Sequence, residues 1–279
     1  MVTVPTAVIL GWPVRHSRSP MIHRHWLASL GIAGDYVPLP VEPERIDVVL
    51  NGFAELGYVG GNITVPHKEA AFRAVKSADD VATALGAVNT LWLDGDRLVG
   101  GNTDAAGFLA NLDEKAPGWD AAGTAVVLGA GGAARAVVWA LRSRGIGRIV
   151  VVNRTLDRAE AIARHFGKPV EAAEWNSLPK LLKKAGLLVN TTTLGMAGHP
   201  ELALDLAPLP EGAVVNDLVY VPLDTGLLAA ARKRRLVAVD GLGMLLHQAV
   251  PGFERWFGRR PDVTPALRDL VVTDIGQAA

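Results

Sequence analysis

The sequence predicts an α/β protein whose strands form a mostly parallel sheet. Short apolar runs rich in Val, Ile and Leu alternate along the chain with longer segments of helical periodicity, which is typical of α/β domains. A glycine-rich turn near the middle of the chain joins one apolar run to a helical segment. The length of 279 residues is enough for one large or two medium domains.

Composition narrows the class of protein. The chain has 28 basic and 28 acidic residues, 49% of its residues are hydrophobic, and it contains no cysteine. This profile excludes a disordered protein, a disulfide-stabilised scaffold and any site that uses cysteine. A formal charge of zero argues against a nucleic-acid partner, which requires a basic surface. We therefore expect a globular enzyme or a protein that binds a small molecule.

Neither a secretory leader nor a membrane span is predicted. The first residues contain no basic segment before an apolar run. The segment 121–141 carries little charge, but Arg135 and several glycines make a strand, a turn and a helix the better interpretation. We expect a cytoplasmic protein with no membrane partner.

The first series of elements contains three strands, three helices and a hairpin. Strands are predicted at Ala7–Gly11, Asp35–Leu39 and Gly60–Val65, and helices at Ser19–Leu30, Glu42–Gly57 and Lys68–Ala74. Ser19 suits the N-cap of the first helix and Pro20 its first turn. The hairpin strands are predicted at Ala87–Trp92 and Leu98–Gly100, around a turn at Asp94–Asp96.

A helix from about Gly107 leads into a second series. Its strands are predicted at Thr124–Leu128, Arg148–Val152, Leu187–Asn190, Ala213–Asp217 and Val237–Asp240. Its helices are predicted at Ala133–Arg144, Leu156–Phe166, Gly226–Arg234, Met244–Phe257 and Pro265–Val272. No repeat or low-complexity linker separates the two series, so composition places no domain boundary.

The glycine turn indicates a dinucleotide site. The segment TAVVLGAGGAARA fits the pattern G-x-G-x-x-G/A with Gly129, Gly131 and Ala134, between a strand and a helix. Glycines permit a tight turn and let the backbone approach a pyrophosphate, which the helix N-terminus then binds. The alternative is a glycine turn that serves only to join strand to helix.

The residues after the next strand favour NADP over NAD. An NAD site places Asp or Glu there to bind the ribose hydroxyls. This chain has Asn153, Arg154 and Thr155 instead, with Arg158 one turn later. An arginine can bind a 2′-phosphate through charge-assisted hydrogen bonds. The alternative is that both arginines are ordinary solvated helix residues.

Three polar clusters follow apolar strands of the first half, where open α/β sheets place ligands. They are HSRSP with Ser17 and Ser19, NITVPHK with Lys68, and GGNTD with Asp104; Asn89 lies upstream in GAVNT. Two hydroxyls beside a helix start could hold a carboxylate. Each cluster alone also fits a helix cap, a solvated lysine or a turn.

Together these segments resemble the shikimate dehydrogenase family. The matching pieces run in family order from Gly11 to Gln248: GWPVRHSRSP, NITVPHK, GAVNT, GNTD, VLGAGGAARA, NRT, NTTTLGM, DLVYVPLDT and DGLGMLLHQ. The resemblance implies NADP-dependent interconversion of 3-dehydroshikimate and shikimate, a step of aromatic amino-acid biosynthesis. It also implies a substrate domain at 1–105 plus 243–279 and a Rossmann-type NADP-binding domain with a parallel sheet at 106–242.

The resemblance carries roles to particular residues. The implied catalytic pair is Lys68 and Asp104. The implied substrate contacts are Ser17 and Ser19 for the carboxylate, Thr64, Asn89 and Gln248 for hydroxyls, and Tyr220 nearby. The implied cofactor contacts are Gly129, Ala130, Gly131, Gly132, Ala133, Asn153, Arg154, Thr155, Arg158, Thr191 and Gly241. Two positions depart from the family pattern: Arg24 stands where Asn is common, and Ala105 where Gly is frequent.

The residues leave several alternatives open. Lys68 could be a base with a lowered pKa or a cation that orients and donates, because a charged Asp104 nearby favours the ammonium. No metal site is expected, since His23 and His25 are two residues apart and would point away from each other on a helix. The rival functions are a quinate/shikimate dehydrogenase of relaxed substrate or cofactor specificity and a nonenzymatic NADP-binding sensor. A monomer or a homodimer is expected.

Overall fold

The computed structural model describes residues 4–278, which form two compact units. Unit 1 contains the described residues up to Asp104 together with Leu246–Asp274. Unit 2 contains Ala105–Leu245 together with the described residues from Ile275 onward. Each unit is built on a six-stranded sheet, so the predicted α/β class with two sheet-based domains is confirmed.

The sheet of unit 1 is mixed. Its strands are β1 (Thr6–Gly11), β2 (Asp35–Pro40), β3 (Gly60–Ile63), β4 (Ser77–Ala78), β5 (Thr90–Asp94) and β6 (Arg97–Gly101). They lie in the order β2-β1-β3-β5-β6-β4. Pairs β1–β2, β1–β3 and β4–β6 are parallel, whereas β5 is antiparallel to both neighbours. The predicted hairpin is confirmed as β5–β6, and Gly95 supplies the positive φ of its turn.

The helices of the first part of the chain are α1 (Ser19–Leu30), α2 (Ile46–Asn51), α3 (Lys68–Ala74) and α4 (Asp80–Leu85). Helices α1 and α3 have the predicted bounds. The single helix predicted over Glu42–Gly57 is wrong: α2 is flanked by 3₁₀ turns at Pro43–Arg45 and Phe53–Leu56. Gly52 and Gly57 explain the breaks, since glycine weakens helices and Gly57 has a φ of +74°.

The start of α1 differs from the predicted cap. The N-cap residue is Arg18 rather than Ser19, and the Arg18 side chain makes no capping hydrogen bond. Instead, Oγ of Ser17 accepts from the backbone N–H of Ser19 over 3.3 Å. Pro20 lies in the first turn as predicted. The Ser19 hydroxyl is therefore not used to begin the helix.

The sheet of unit 2 is entirely parallel, as predicted. Its strands are β7 (Thr124–Leu128), β8 (Arg148–Asn153), β9 (Val170–Glu174), β10 (Leu187–Asn190), β11 (Val214–Asp217) and β12 (Val237–Val239). They lie in the order β12-β11-β10-β7-β8-β9. This is the doubly wound Rossmann order, and the direction of winding reverses between β7 and β10. Ligands of such sheets bind at the carboxyl ends of the strands near that reversal.

The remaining helices are α5 (Asp104–Lys115), α6 (Gly132–Ser143), α7 (Leu156–Phe166), α8 (Leu178–Leu182), α9 (Gly226–Lys233), α10 (Leu242–Phe257) and α11 (Pro265–Ala278). Helix α5 begins three residues before the predicted position, because Oδ1 of Asn102 accepts from the backbone N–H of Asp104 over 3.0 Å. Strand β9 and helix α8 were not predicted. Strand β9 lies at a sheet edge and has only Val170 buried, and α8 has only five residues.

The central strands of unit 2 are buried throughout. All residues of β10 and β11, and Ala125–Leu128 of β7, are inaccessible or nearly so. A continuous apolar run is expected of a parallel strand with both faces covered. Among residues 4–278, no helix is long and apolar enough to cross a membrane. The same residues include no group of three or more His, Asp or Glu side chains placed to hold a metal ion.

Candidate active site

One edge of the unit 1 sheet gathers polar residues predicted from the sequence. Strands β1, β3 and β6 end at this edge, and β5 begins there because it runs antiparallel to β3 and β6. Thr64 follows β3, Asn89 immediately precedes β5, and Asp104 comes shortly after β6. The mixed topology therefore brings segments far apart in sequence to one place.

Lys68 and Asp104 form an ion pair at this edge. Nζ of Lys68 donates to Oδ2 of Asp104 over 2.6 Å, with 30% and 16% of the two side chains exposed. Lys68 is the first residue of α3 and Asp104 the first residue of α5. The N-terminal end of a helix favours a carboxylate and disfavours an ammonium group. The carboxylate of Asp104 thus offsets the unfavourable position of the Lys68 charge.

The backbone that carries Lys68 is anchored by His67. The His67 ring is buried, and its Nε2 lies 2.7 Å from the carbonyl oxygen of Val41. A carbonyl oxygen only accepts, so Nε2 carries a proton in this contact. The contact fixes the start of α3 to the segment after β2.

Asn89 holds the other oxygen of Asp104. Its Nδ2 donates to Oδ1 of Asp104 over 2.8 Å and to Oγ1 of Thr103 over 3.0 Å. Its own Oδ1 accepts from the Thr103 backbone over 2.9 Å and from the Thr90 hydroxyl over 2.8 Å. Asn89 was predicted as a substrate contact; in this structure its amide fixes the orientation of the Asp104 carboxylate.

Asn62 connects this cluster to the serine segment. Its Nδ2 donates to the Asn89 carbonyl over 3.1 Å, and its Oδ1 accepts from the Tyr36 hydroxyl over 2.7 Å. Burial raises the pKa of Tyr36 well above its ordinary value, and hydrogen bonding that involves Ser19 and Asn62 opposes this rise. Tyr36 is therefore a neutral donor between Asn62 and the segment that contains Ser19. Sequence reasoning did not select either Tyr36 or Asn62.

His23 lies next to this group but is buried and neutral. Its ring stacks on Tyr36 with centroids 4.1 Å apart. Neither ring nitrogen has a hydrogen-bond partner among the described residues. Burial lowers the pKa of His23 to about 3, with the Asn62 side chain opposing the change. His23 is thus uncharged near neutral pH.

The remaining substrate-side predictions lie in both units. Thr64 packs closely on the end of β1, where a Cβ at Gly11 would come within 2.3 Å of its methyl group. Gln248 is half-buried in α10 and belongs to unit 1. Tyr220 follows β11 and belongs to unit 2.

The glycine turn of unit 2 contains glycines of two kinds. Gly129 has a φ of +104°, and a Cβ there would lie 2.7 Å from Oγ1 of Thr191, so the chain itself requires glycine. A Cβ at Gly131 or Gly132 would meet no atom within 4 Å. Their bare backbone at the start of α6 therefore leaves room for a ligand. Ala134, behind the turn, is fully buried, which fits close packing of the helix on the sheet.

The predicted Arg154 lines a cavity of about 360 Å³ at the carboxyl end of β8, which we call the β8 cavity. Its lining residues are Asn153, Arg154, Trp175, Thr192, Thr193 and Leu194. Arg154 and Arg158 are exposed, and neither forms an ion pair within residues 4–278. Nδ2 of Asn153 donates to the carbonyl of Thr155 over 2.8 Å, which shapes the turn between them. Two guanidinium groups without an ion-pair partner, one after β8 and one in the first turn of α7, suit an anionic ligand.

A buried network at the carboxyl ends of β10 and β11 escaped sequence reasoning. Nδ2 of Asn190 donates to Oδ1 of Asp217 over 2.8 Å, and the Thr225 hydroxyl donates to Oδ2 over 2.7 Å. Oδ1 of Asn190 accepts from the hydroxyl of Thr192 over 2.7 Å. Burial raises the pKa of Asp217, and its hydrogen bonds with Thr225, Val219 and Asn190 oppose this. The network fixes the loop after β10, which lines the β8 cavity.

Gly241 is held by close packing on the segment after β11. A Cβ there would lie 2.1 Å from the carbonyl oxygen of Leu218. Thr191 is anchored as well, because its hydroxyl donates to the carbonyl of Leu128 over 2.7 Å. Ala130, Ala133 and Thr155 complete the predicted cofactor contacts, and all three keep some exposure.

The sequence matches three parts of one family. Residues 9–91 match the shikimate dehydrogenase substrate-binding domain, residues 114–196 match shikimate/quinate 5-dehydrogenase, and residues 241–268 match the shikimate 5′-dehydrogenase C-terminal domain. The shikimate dehydrogenase (NADP⁺) of Brucella abortus is 58% identical over 275 residues, which is 98% of this chain and 95% of that protein. The enzyme of the same name from Azorhizobium caulinodans is 58% identical over 268 residues, 96% of this chain and 95% of that one.

Solved structures agree with the sequence matches. Shikimate 5-dehydrogenase from Thermus thermophilus, in complex with NADP(H) and shikimate, has a TM-score of 0.84 at 37% identity, covering 98% of this chain and 100% of that one. Quinate dehydrogenase from Corynebacterium glutamicum, in complex with NAD, has a TM-score of 0.89 at 31% identity, covering 97% and 99%. With relatives this similar over nearly its full length, the chain belongs to the shikimate dehydrogenase family.

Proposed function

We propose that this chain is an NADP-dependent shikimate dehydrogenase that interconverts shikimate and 3-dehydroshikimate. The observation that carries the proposal is the 2.6 Å pair between Lys68 and Asp104, in a chain 58% identical to enzymes named for this activity. Unit 1 binds the substrate and unit 2 binds the cofactor. Oxidation of shikimate removes a hydride from carbon and a proton from the attached oxygen. NADP⁺, when bound, accepts the hydride.

The residues of this chain manage the proton. Both oxygens of Asp104 already accept hydrogen bonds, from Lys68 and from Asn89. The ammonium group of Lys68 has three N–H donors, and its hydrogen bond to Asp104 uses one of them. Lys68 therefore exchanges the proton at Nζ, and Asp104 positions it. In the reductive direction the ammonium donates to the ketone oxygen; in the oxidative direction the amine accepts the hydroxyl proton.

The hydroxyls of unit 1 bind the substrate. Ser17 and Ser19 flank the start of α1, where backbone N–H groups and the helix dipole favour a carboxylate. Ser19 is the first residue of α1, and its side chain is hydrogen-bonded with Tyr36. Thr64 and Gln248 bind hydroxyls of the ring.

The residues of unit 2 suit NADP. The open backbone at Gly131 and Gly132 accommodates the pyrophosphate at the N-terminus of α6. Arg154 and Arg158 bind the 2′-phosphate, and no acidic side chain within residues 4–278 pairs with either of them. An Asp or Glu that would bind an unmodified ribose is missing from Asn153–Thr155. The preference for NADP follows from this charge pattern.

The test is an absorbance assay of nicotinamide reduction with purified protein, shikimate and NADP. Parallel reactions replace shikimate by quinate, and NADP by NAD. We expect kcat/KM to be highest for shikimate with NADP. An equal kcat/KM with quinate in place of shikimate, or with NAD in place of NADP, would establish a dehydrogenase of relaxed substrate or cofactor specificity. If the protein binds the cofactor but oxidises no cyclic polyol acid, the result would favour the alternative of a nonenzymatic NADP-binding sensor.

Assembly and location complete the proposal. We propose a monomer or homodimer in the cytoplasm, with no nucleic-acid or membrane partner. Light scattering coupled to size exclusion measures the mass of the assembly, and fractionation of cells measures the location.

A further inference from the structure

The β8 cavity contains one large aromatic side chain that the proposed function does not use. Among its six lining residues only Trp175 has an aromatic ring. Trp175 begins the 3₁₀ turn that follows edge strand β9, and it is partly exposed. Arg154, another lining residue, is the proposed ligand of the 2′-phosphate. An aromatic ring and an unpaired guanidinium thus share one cavity.

The Trp175 indole is held by packing. It packs against the hydrophobic core cluster of unit 2, which includes Leu178, Leu182 and Val152. Its N–H has no hydrogen-bond partner among the described residues, whereas Nε1 of the buried Trp119 donates to Asp113 over 2.9 Å. An indole held against a rigid core, with part of its surface facing a cavity, offers a preorganised flat apolar surface.

The chemistry of the cavity identifies its occupant. A cavity of about 360 Å³ is at the small end of the range that ligands occupy. It combines an aromatic surface, a cation and the hydroxyls of Thr192 and Thr193. A flat heteroaromatic base joined to a phosphorylated sugar satisfies all three features, because the base stacks and the phosphate pairs with arginine.

We propose that Trp175 stacks on the adenine base of NADP and is an affinity determinant of this chain. The inference rests on the proposed function, since it assigns the base of the same cofactor whose 2′-phosphate binds Arg154. Trp175 contributes through its ring, and Arg154 contributes through its charge. The two contributions therefore separate when base and 2′-phosphate are varied independently.

The experiment measures Kd by calorimetry for two probes that lack nicotinamide. Adenosine 2′,5′-bisphosphate carries the base and a 2′-phosphate, whereas ADP carries the base and a 5′-diphosphate but no 2′-phosphate. Trp175→Ala is expected to raise Kd for both probes by roughly 5- to 30-fold, because base stacking is lost in both complexes. Arg154→Gln is expected to raise Kd for the bisphosphate only. Trp12→Ala, at a tryptophan of unit 1 that is 44% exposed, serves as control.

Two further variants separate stacking from packing. Trp175→Phe keeps an aromatic ring and is expected to stay within about 3-fold of wild type. Trp175→Leu fills the same core contacts without a π surface and is expected to bind as weakly as the alanine variant. Urea unfolding checks that each variant is folded; if the alanine variant is not, the Phe and Leu pair decides. The assignment is overturned if Trp175→Leu binds the probes as tightly as wild type, or if Trp175→Ala binds them with an unchanged Kd.

Failure of this inference is distinguishable from failure of the proposed function. Normal oxidation of shikimate with NADP by wild type, together with unchanged probe affinity in Trp175→Ala, refutes the stacking role alone. If wild type shows no turnover of shikimate but Trp175→Ala still binds the probes more weakly than wild type, the proposed activity alone is refuted.

Discussion

The two units prepare their ligand sites in opposite ways. In unit 1 the candidate residues are bound to one another: Lys68 to Asp104, Asp104 to Asn89, and Asn89 to Thr90 and Thr103. In unit 2 the candidate site consists of bare glycine backbone and of two arginines without acidic partners among the described residues. The candidate residues of unit 1 are held by hydrogen bonds to one another, whereas those of unit 2 leave their polar groups open to a ligand. Substitutions should therefore act differently in the two units.

The largest effect is expected at Lys68. Lys68→Met keeps the length of the side chain but removes Nζ, the atom proposed to exchange the proton. We expect kcat to fall by about 10²- to 10⁴-fold, as is usual for loss of an acid–base group. The Kd for NADP, measured by calorimetry, should be unchanged because the proposed cofactor site lies in unit 2. Lys76→Met, at an exposed lysine of the same unit, is the control. Near-normal turnover by Lys68→Met would refute the proposed role of Lys68 in proton exchange.

The second effect is expected at Arg154. Arg154→Gln removes the proposed charge-assisted contact with the 2′-phosphate, and such a contact is worth roughly 10- to 150-fold in affinity. We expect KM for NADP to rise within this range, while kcat at saturation and KM for NAD change little. Arg164→Gln is the control, since Arg164 lies on α7, the helix that follows Arg154, and pairs with Glu160 over 3.3 Å. An equal loss with NAD would mean that Arg154 does not recognise the 2′-phosphate.

A third effect concerns acid stability and His23. Its pKa is about 3 in the folded chain against about 6.5 when unfolded, so the unfolded state binds the proton first as pH falls. This contribution to stability is complete above about pH 6.5 and declines by about 1.4 kcal/mol per pH unit below it. Between pH 7.5 and 5, His23→Phe should therefore lose about 2 kcal/mol less unfolding free energy than wild type.

Urea unfolding at the two pH values measures this difference, with His25→Gln as control. Identical pH dependence in His23→Phe and wild type would show that His23 does not control acid stability. The buried acid of unit 2 has the opposite sign. Because the pKa of Asp217 is raised on folding, its contribution is present at low pH and is lost as pH rises above its unfolded value. Acid therefore weakens unit 1 at His23 and not unit 2 at Asp217.

The smallest effect is expected in the buried network of unit 2. Thr225→Val removes the hydroxyl that donates to Asp217 over 2.7 Å and leaves a buried oxygen without that donor. We expect a loss of about 1–3 kcal/mol in unfolding free energy. Thr225→Ser retains the hydroxyl and should lose less. Chemical denaturation of both variants provides the comparison, and equal stability of Val and Ser would argue against this hydrogen bond.

Local patterns predicted most of the fold. Strands β7, β8, β10 and β11 are apolar runs bounded by turns, and such runs specify buried parallel strands directly. The signal failed where elements are short or edge-placed, as in β9 and α8. It also failed at Glu42–Gly57, where apolar periodicity continues through Gly52 although the helix does not. Helix α4 was missed although Asp79 caps it, with Oδ1 accepting from the Ala82 backbone over 2.6 Å.

The candidate site was less predictable than the fold. Lys68, Asn89 and Asp104 were selected because motifs contain them. Lys68 and Asp104 are 36 residues apart in the sequence, and only the fold brings their side chains within 2.6 Å. Tyr36, Asn62 and Asp217 were missed because their importance lies in what they touch. A tyrosine in a strand and an asparagine beside glycine have ordinary local explanations. Trp175 was missed for the same reason, since only the folded cavity places it beside Arg154.

The space around Gly131 and Gly132 has a consequence for how mutations in this gene would be detected. Because a Cβ at either position meets nothing within 4 Å, Gly131→Ala or Gly132→Ala should yield chains as stable as wild type. Such chains would express, resist proteolysis and pass any screen that selects on solubility or abundance. Their defect would emerge only when the cofactor is offered, so surveys based on expression level would score these substitutions as harmless.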